Sequence, residues 1–152
     1  MSTLPDTSQC IDVCNDLLRG ELSAVETYSD TIHKYAGEPE VMILKTIREE
    51  HTDSANRLRK NVKSMGGEPD LSSGAWGGVT KAIQGTANFF GEESAIASLK
   101  RGEEIGKSMY EKALANDAVL DDCKEMVRSS LLPRVASHIL NLESLQKRAK
   151  VS

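Results

Sequence analysis

One face of a long helix near the start of the chain is apolar except for a single carboxylate. Residues recur along it at steps of three and four, which is typical of one side of an α-helix. The members of this stripe are Ile11, Cys14, Leu18, Glu21, Val25, Tyr28, Ile32 and Tyr35. A buried carboxylate costs free energy unless it is paired, protonated or bound to a metal ion. We therefore expect a partner for Glu21 on a facing element.

Three further stretches have the same periodicity, and each carries one ionisable residue near the middle of its apolar face. The second stripe is Val41, Leu44, Ile47, His51, Ala55, Leu58, Val62 and Met65. The third is Ile96, Leu99, Glu103, Gly106, Tyr110 and Leu114, and the fourth is Leu120, Cys123, Val127, Leu131, Val135, His138, Leu142, Leu145 and Ala149. The sequence therefore predicts four long helices, at about residues 8–36, 38–65, 92–116 and 118–149.

The connections between these helices predict how the helices are arranged. Gly37-Glu38-Pro39 and Asn116-Asp117 are short breaks, so each is expected to join two antiparallel helices. The Gly- and Ser-rich stretch 66–91 is long enough to carry the chain back along the bundle, which makes the third helix parallel to the second. We expect a short helix at about 79–89 within this crossover, with Trp76 anchoring it.

Together these features predict an all-α four-helix bundle, built as one domain over residues 1–152. The low aromatic content, 4%, agrees with this class. Pro133 falls inside the fourth helix, where it is expected to be accommodated by a kink or by a freed carbonyl.

Composition excludes several classes of partner and compartment. The net charge of -4, with no basic face on any one helix, argues against nucleic acid. No apolar run is long enough to cross a membrane, and the N-terminus does not resemble a signal peptide, so we expect a cytoplasmic protein. The three cysteines, Cys10, Cys14 and Cys123, lack metal-type spacing, and we interpret them as small core residues in a reducing compartment.

An internal repeat relates the first and third helices. The tripeptide Arg-Gly-Glu ends at Glu21 in one and at Glu103 in the other. A tyrosine follows each glutamate by seven residues, as Tyr28 and Tyr110, and so shares its face. We expect the tyrosine hydroxyls to form hydrogen bonds with these glutamates.

The second and fourth helices match more weakly, through His51 and His138 and the apolar residues that follow them. Because the two glutamates and two histidines lie near the middle of their helices, they should converge in one layer of the core. Such oxygen and nitrogen donors suit Fe, Mn or Zn. Glu50 lies about 100° around the helix from His51 and could reach the edge of this layer. The alternative is a metal-free network in which each glutamate bonds a histidine across the core.

The motifs resemble those of known families. Glu21-Leu22-Ser23-Ala24 with Tyr28 resembles the first-helix motif of bacterioferritin, and Gly20-Glu21-x-x-Ala24-x-x-x-Tyr28 resembles that of rubrerythrin. From about Ser8 to Leu145, the chain resembles an uncharacterised ferritin-like family, domain of unknown function 2383. The two Arg-Gly-Glu motifs and the Gly-Gly-Glu-Pro end of the second helix carry that likeness. The resemblance implies a ferritin-like bundle.

The sequence departs from the ferritin-like di-iron pattern, in which helices one and three carry a lone Glu and helices two and four carry Glu-x-x-His. Glu21 and Glu103 match the lone Glu, and His138 matches the fourth-helix His. His51 and Ser54 stand where helix two should supply Glu and His, and Val135 replaces the Glu of helix four. Both bridging carboxylates are therefore missing, unless Glu50 substitutes.

These departures leave two hypotheses. In the first, Glu21, His51, Glu103 and His138, with Glu50 at the rim, bind one Fe, Mn or Zn ion or a poorer two-metal site, for oxidative-stress or metal-handling chemistry. In the second, the chain is a metal-free structural or interaction module with no enzymatic activity. In either case we expect no organic cofactor and a homo-oligomer, in the simplest case a dimer.

Overall fold

The computed structural model describes residues 7–72 and 92–151, and every regular element in those two ranges is a helix. Helix α1 is Ser8–Lys34, α2 is Val41–Ser64 and α3 is Glu92–Ala115. A fourth long helix, α4, consists of three consecutive segments: Asp121–Met126, the π-helical turn Val127–Leu131, and Leu132–Val151. The prediction of four long helices is confirmed. Trp76 and the short helix expected at 79–89 lie outside the described residues.

Contacts along α1 and α2 show that these helices run antiparallel. At one end, the Asn61 side-chain amide donates to Cys14 Sγ over 3.2 Å. At the other end, Arg48 Nη1 donates to Ser29 Oγ over 3.4 Å. The six residues between the two helices are too few for any other arrangement.

The second hairpin and its orientation follow from contacts in the same way. Lys100 Nζ of α3 lies 3.9 Å from Glu143 Oε1 of α4. Both residues are far from the short link between these helices, so α3 and α4 run antiparallel. The Tyr28 hydroxyl reaches Glu103, whereas the Tyr110 hydroxyl reaches Glu21, so α1 and α3 are antiparallel. Consequently α2 and α3 are parallel, as the long crossover predicts.

Two adjacent glycines direct the chain out of α2. Gly66 has a positive φ of 84°, which favours glycine. Gly67 packs so closely on α1 that an added Cβ would lie 2.8 Å from Ile11 Cγ2. The chain then follows α1, where the Asp70 backbone N–H donates to Asn15 Oδ1 over 3.0 Å. The Gly-Gly pair thus starts the crossover against the first helix.

The core consists of two apolar clusters, one towards each end of the bundle. One cluster contains Cys10, Cys14, Leu18, Leu58, Val62, Tyr110, Cys123, Val127 and Leu131, among others. The other contains Tyr28, Ile32, Leu44, Ile47, Ile96, Leu99, Leu142 and Leu145, among others. Glu21, His51, Glu103 and His138 are buried as well. Within the described ranges, no helix is both long and apolar enough to span a membrane.

The π-helical turn in α4 keeps the apolar face of that helix on the core. The Leu132 N–H donates to the carbonyl of Val127, five residues earlier. Three successive steps of four residues, from Cys123 to Val135, would drift by about 120° around a regular α-helix. The π turn absorbs this drift, and all four residues of the run are buried. The π turn also ends two residues before Pro133, where the sequence predicts a kink or a freed carbonyl.

We expect deletion of Ser129, combined with Pro133→Ala, to be tolerated, because removing one residue from the π turn restores steps of three and four. Deletion of Ala136 should instead rotate His138 and the residues after it by about 100° and cost several kcal/mol. Both deletions are made in the Pro133→Ala protein, and both deleted residues are exposed, so they form a matched pair. Urea unfolding measures the two costs, and equal costs would contradict this role of the π turn.

Candidate metal centre

Each helix places one ionisable side chain in the buried layer between the two apolar clusters. Glu21 comes from α1, His51 from α2, Glu103 from α3 and His138 from α4, and none is more than 5% exposed. They are brought together because each lies near the middle of the buried stripe of its helix. The sequence-predicted residues therefore do meet in the core.

His51 is held between two carboxylates. Its Nδ1 lies 2.5 Å from Glu21 Oε2, and its Nε2 lies 2.5 Å from Glu103 Oε1. Burial by itself favours the neutral ring, but the charges of Glu103 and Glu21 outweigh it and hold the pKa of His51 well above its ordinary value. Without metal, the ring is a cation that donates both N–H groups.

Glu103 contacts both histidines of the layer and one of the two tyrosines. It accepts hydrogen bonds from His51 and from the Tyr28 hydroxyl, the latter over 2.8 Å, and His138 Nδ1 lies 3.3 Å from its Oε1. Burial opposes its ionisation, but the positive charge of His51 and the bonds from both histidines lower the pKa of Glu103 to about 2. Glu103 is thus a carboxylate at neutral pH.

The two tyrosines of the repeat cross between α1 and α3. Tyr28 donates to Glu103 and Tyr110 donates to Glu21, so each serves the glutamate of the other helix. Burial is the main cause that raises the pKa of both phenols well above their usual range. The negative charge of the nearby carboxylates raises it further. Both hydroxyls therefore stay protonated and act as fixed donors.

His138 reaches from Glu103 to the edge of the bundle. Its Nε2 lies 2.7 Å from Glu50 Oε1, and the Glu50 side chain is 44% exposed. The rings of His51 and His138 lie close together, with 4.7 Å between their centroids. Glu50 therefore joins the layer from its solvent side.

Three of these side chains are placed so that they could share one ion. His51, Glu103 and His138 each offer a donor atom, and these atoms lie within 4.8 Å of one another. The ring nitrogens that face Glu103 are His51 Nε2 and His138 Nδ1. Each ring presents its other nitrogen to a further carboxylate, Glu21 or Glu50. Such carboxylate–histidine pairs commonly orient the ligands of protein metal sites.

A cavity of about 70 Å³ between α1 and α3 adjoins the layer. Glu21, His51 and Glu103 contribute to its wall, together with the small residues Gly20, Ser23, Ala24, Ser98, Gly102 and Gly106. A Cβ added to Gly102 or Gly106 would meet nothing within 4 Å, so these glycines leave open space. Sequence reasoning missed the cavity, although the glycine before each repeated glutamate was a signal for it.

Arg134 is a second feature that sequence reasoning missed. It lies one turn before His138 and donates to Ser54 Oγ over 3.0 Å and to the Glu50 carbonyl over 3.4 Å. Its Nη2 also lies 2.8 Å from Asp53 Oδ2. Arg134 thereby fixes the turn of α2 that carries Glu50. Ser54, which stands where the ferritin-like pattern has a histidine, thus accepts a hydrogen bond from Arg134.

Comparison with known proteins identifies a family but no function. Residues 9–116 match the family described as Domain of unknown function (DUF2383). The chain belongs to this family. No curated protein and no solved structure matches the chain. The match includes Glu21, Glu50, His51 and Glu103, while His138 lies beyond it.

Stability of the metal-free protein should depend on pH through His51. Its pKa is raised in the folded state, so the stabilisation is complete below about pH 6.5 and is lost as pH rises through the folded pKa. We expect a loss of up to about 1.4 kcal/mol per pH unit in that range. Urea unfolding in chelator at several pH values measures it.

In that experiment, His51→Gln should flatten the alkaline loss, whereas His33→Gln should leave it unchanged because His33 is exposed. A second, acidic loss should appear in wild type between about pH 4.5 and 2 as Glu103 is protonated. A His51→Gln protein with the same alkaline slope as wild type would contradict the assignment.

Proposed function

We propose that the chain is a ferritin-like metal-binding protein whose buried layer holds one Fe, Mn or Zn ion through His51, Glu103 and His138. The observation that carries this proposal is the convergence of donor atoms from these three side chains within 4.8 Å. Two imidazoles and one carboxylate that leave further positions open are a donor set typical of non-haem Fe(II) sites. The same nitrogen and oxygen donors also suit Mn and Zn.

This ligand set is smaller than the one inferred from sequence. Glu21 and Glu50 bond the outer nitrogens of the two rings, so we assign them the role of holding each ring in one tautomer and orientation. Ser54 is bonded to Arg134, and Val135 is a buried apolar residue, so neither completes a second ion site. These contacts favour one ion over two.

The ferritin-like part of the proposal rests on topology and on the placement of the donors. The described helices form two antiparallel hairpins with α2 parallel to α3, and a long stretch of chain joins the hairpins. Glu21 on α1, Glu103 on α3 and His138 on α4 match positions of the ferritin-like pattern, whereas His51 stands where that pattern has a glutamate. Membership of an uncharacterised family does not itself assign a function.

A bound Fe or Mn ion would supply oxygen or peroxide activation, which is the chemistry expected for oxidative-stress or metal handling. The chain's own residues prepare the site for it. Tyr28 and Tyr110 donate to Glu103 and Glu21 and keep both carboxylates in place. The cavity between α1 and α3 gives a small molecule space beside Glu103 and His51.

A metal-free role is the second candidate, and one observation favours it. Both nitrogens of His51 already bond carboxylates at 2.5 Å, so the hydrogen bonds of this buried ring are complete without an ion. In this case the layer fixes helix register in a structural or interaction module. The expected homo-oligomer stays a prediction under either candidate.

Metal analysis of protein purified without chelator tests the proposal. We expect about one Fe, Mn or Zn ion per chain, and an increase in Tm when the apoprotein is given the metal that it binds. Binding should strengthen with rising pH, because the ion replaces a proton on His51. Metal-free protein whose Tm does not respond to any of the three ions would support the second candidate instead.

Variants separate the ligands from the residues that orient them. His138→Ala and Glu103→Gln should abolish stoichiometric binding, whereas Glu21→Gln should keep it and weaken affinity by roughly 10–100-fold. His33→Gln is the matched control, since this histidine is exposed at the end of α1. Circular dichroism checks that each variant is folded. Unchanged affinity in Glu103→Gln would overturn the ligand assignment.

A further inference from the structure

The three cysteines form one cluster, although Cys14 and Cys123 are 109 residues apart in the chain. Each offers a sulfur atom within 4.8 Å of the other two. The Sγ atoms of Cys14 and Cys123 are 3.2 Å apart. Every member of the cluster is 1% exposed or less. The three cysteines are therefore core residues whose sulfurs form one group.

We propose that Cys10, Cys14 and Cys123 form a second metal site, which binds one soft monovalent ion of the Cu(I) class. Cys10 and Cys14 lie one helical turn apart on α1, and Cys123 faces them from the first turn of α4. Binding releases a proton from each thiol that becomes a thiolate ligand, and no group is oxidised or reduced.

Polar groups around the sulfurs support thiolate ligands. The Asn61 side-chain amide donates to Cys14 Sγ over 3.2 Å, and the Leu120 backbone N–H donates to Cys10 Sγ over 3.4 Å. Cys123 occupies the third position of α4, where the helix N-terminus favours negative charge. These donors offset part of the cost of placing negative sulfur in the apolar core.

The hydrogen bond between Cys14 and Cys123 shifts the pKa values of these two thiols in opposite directions. The hydrogen bond from Cys14 lowers the pKa of Cys123 below its ordinary value, despite burial. That same bond and burial raise the pKa of Cys14. Of this pair, Cys123 therefore ionises more readily, and a bound ion would replace the proton that lies between the two sulfurs.

The donor set favours Cu(I) over Zn. Thiolates are soft ligands and select soft ions, and Cu(I) accepts two or three of them. Structural zinc is almost always bound by four protein ligands, and in the part of the chain that the structure describes, no His, Asp or Glu joins the three cysteines. A divalent ion would find better donors in the Glu/His layer, about 10 Å away along α1 at 1.5 Å per residue.

An ion can reach the buried cluster through the ends of two helices. Cys10 is two residues from the start of α1, and Cys123 is two residues from the start of α4. The first turns of helices lack part of their hydrogen bonding and open more readily than their middles. Opening at this end of the bundle would expose the thiols, whereas His51 and Glu103 lie near the middle of their helices.

Anaerobic titration of the reduced full chain with Cu(I), in the presence of a bathocuproine competitor, tests this site. We expect one Cu(I) per chain to be withheld from the competitor, with a thiolate-to-copper charge-transfer band in the ultraviolet. Cys14→Val should remove both signals, and Asn61→Leu should weaken affinity by roughly tenfold or more. Circular dichroism and Tm show whether each variant is folded.

Glu21→Gln is the control that separates the two sites, because it alters the Glu/His layer without touching sulfur. It should bind Cu(I) as wild type does, and this result holds whether or not the layer binds metal. Competitor that removes all Cu(I) from wild type would overturn the proposal. So would folded Cys14→Val protein with the wild-type band, or a mass loss of two hydrogens without retained copper, which would indicate a Cys14–Cys123 disulfide instead.

Discussion

The ion pairing of His51 with Glu21 and Glu103 is the interaction on which the rest of this bundle depends. Charges in an apolar core are costly unless they are paired and hydrogen-bonded. Here the ring bonds both carboxylates at 2.5 Å, and Tyr28 and Tyr110 bond those carboxylates in turn. Removal of His51 would leave two buried carboxylates without the cation that they share. The layer therefore constrains α1, α2 and α3 to one rotation each.

The fourth helix meets this constraint by a local change of geometry. Without the π turn at Val127–Leu131, the apolar face before it and His138 after it would not point to the same side. Arg134 then ties α4 to the turn of α2 that holds Glu50. The rim of the layer is thus fixed by contacts between α4 and α2.

One bundle presents two donor sets of different chemistry. The central layer offers imidazole and carboxylate, whereas the thiols gather at the end where α1 and α4 begin. Nitrogen and oxygen donors and sulfur donors differ in softness, so the two proposed sites would select different ions. Family membership alone assigns neither role, and the arrangement of side chains carries both proposals.

The sequence by itself determined the four helices and the central layer, because residue spacing along one helix fixes which side chains share a face. Glu21, His51, Glu103 and His138 were found this way. Only the tertiary structure decided which atoms meet, since that depends on helix rotation and on rotamers across the core. It decided that each tyrosine serves the opposite glutamate, and that Glu21 and Glu50 bond the outer ring nitrogens. The tertiary structure also brought Cys14 into contact with Cys123. No local sequence pattern encodes this contact, because it depends on how α4 packs beside α1.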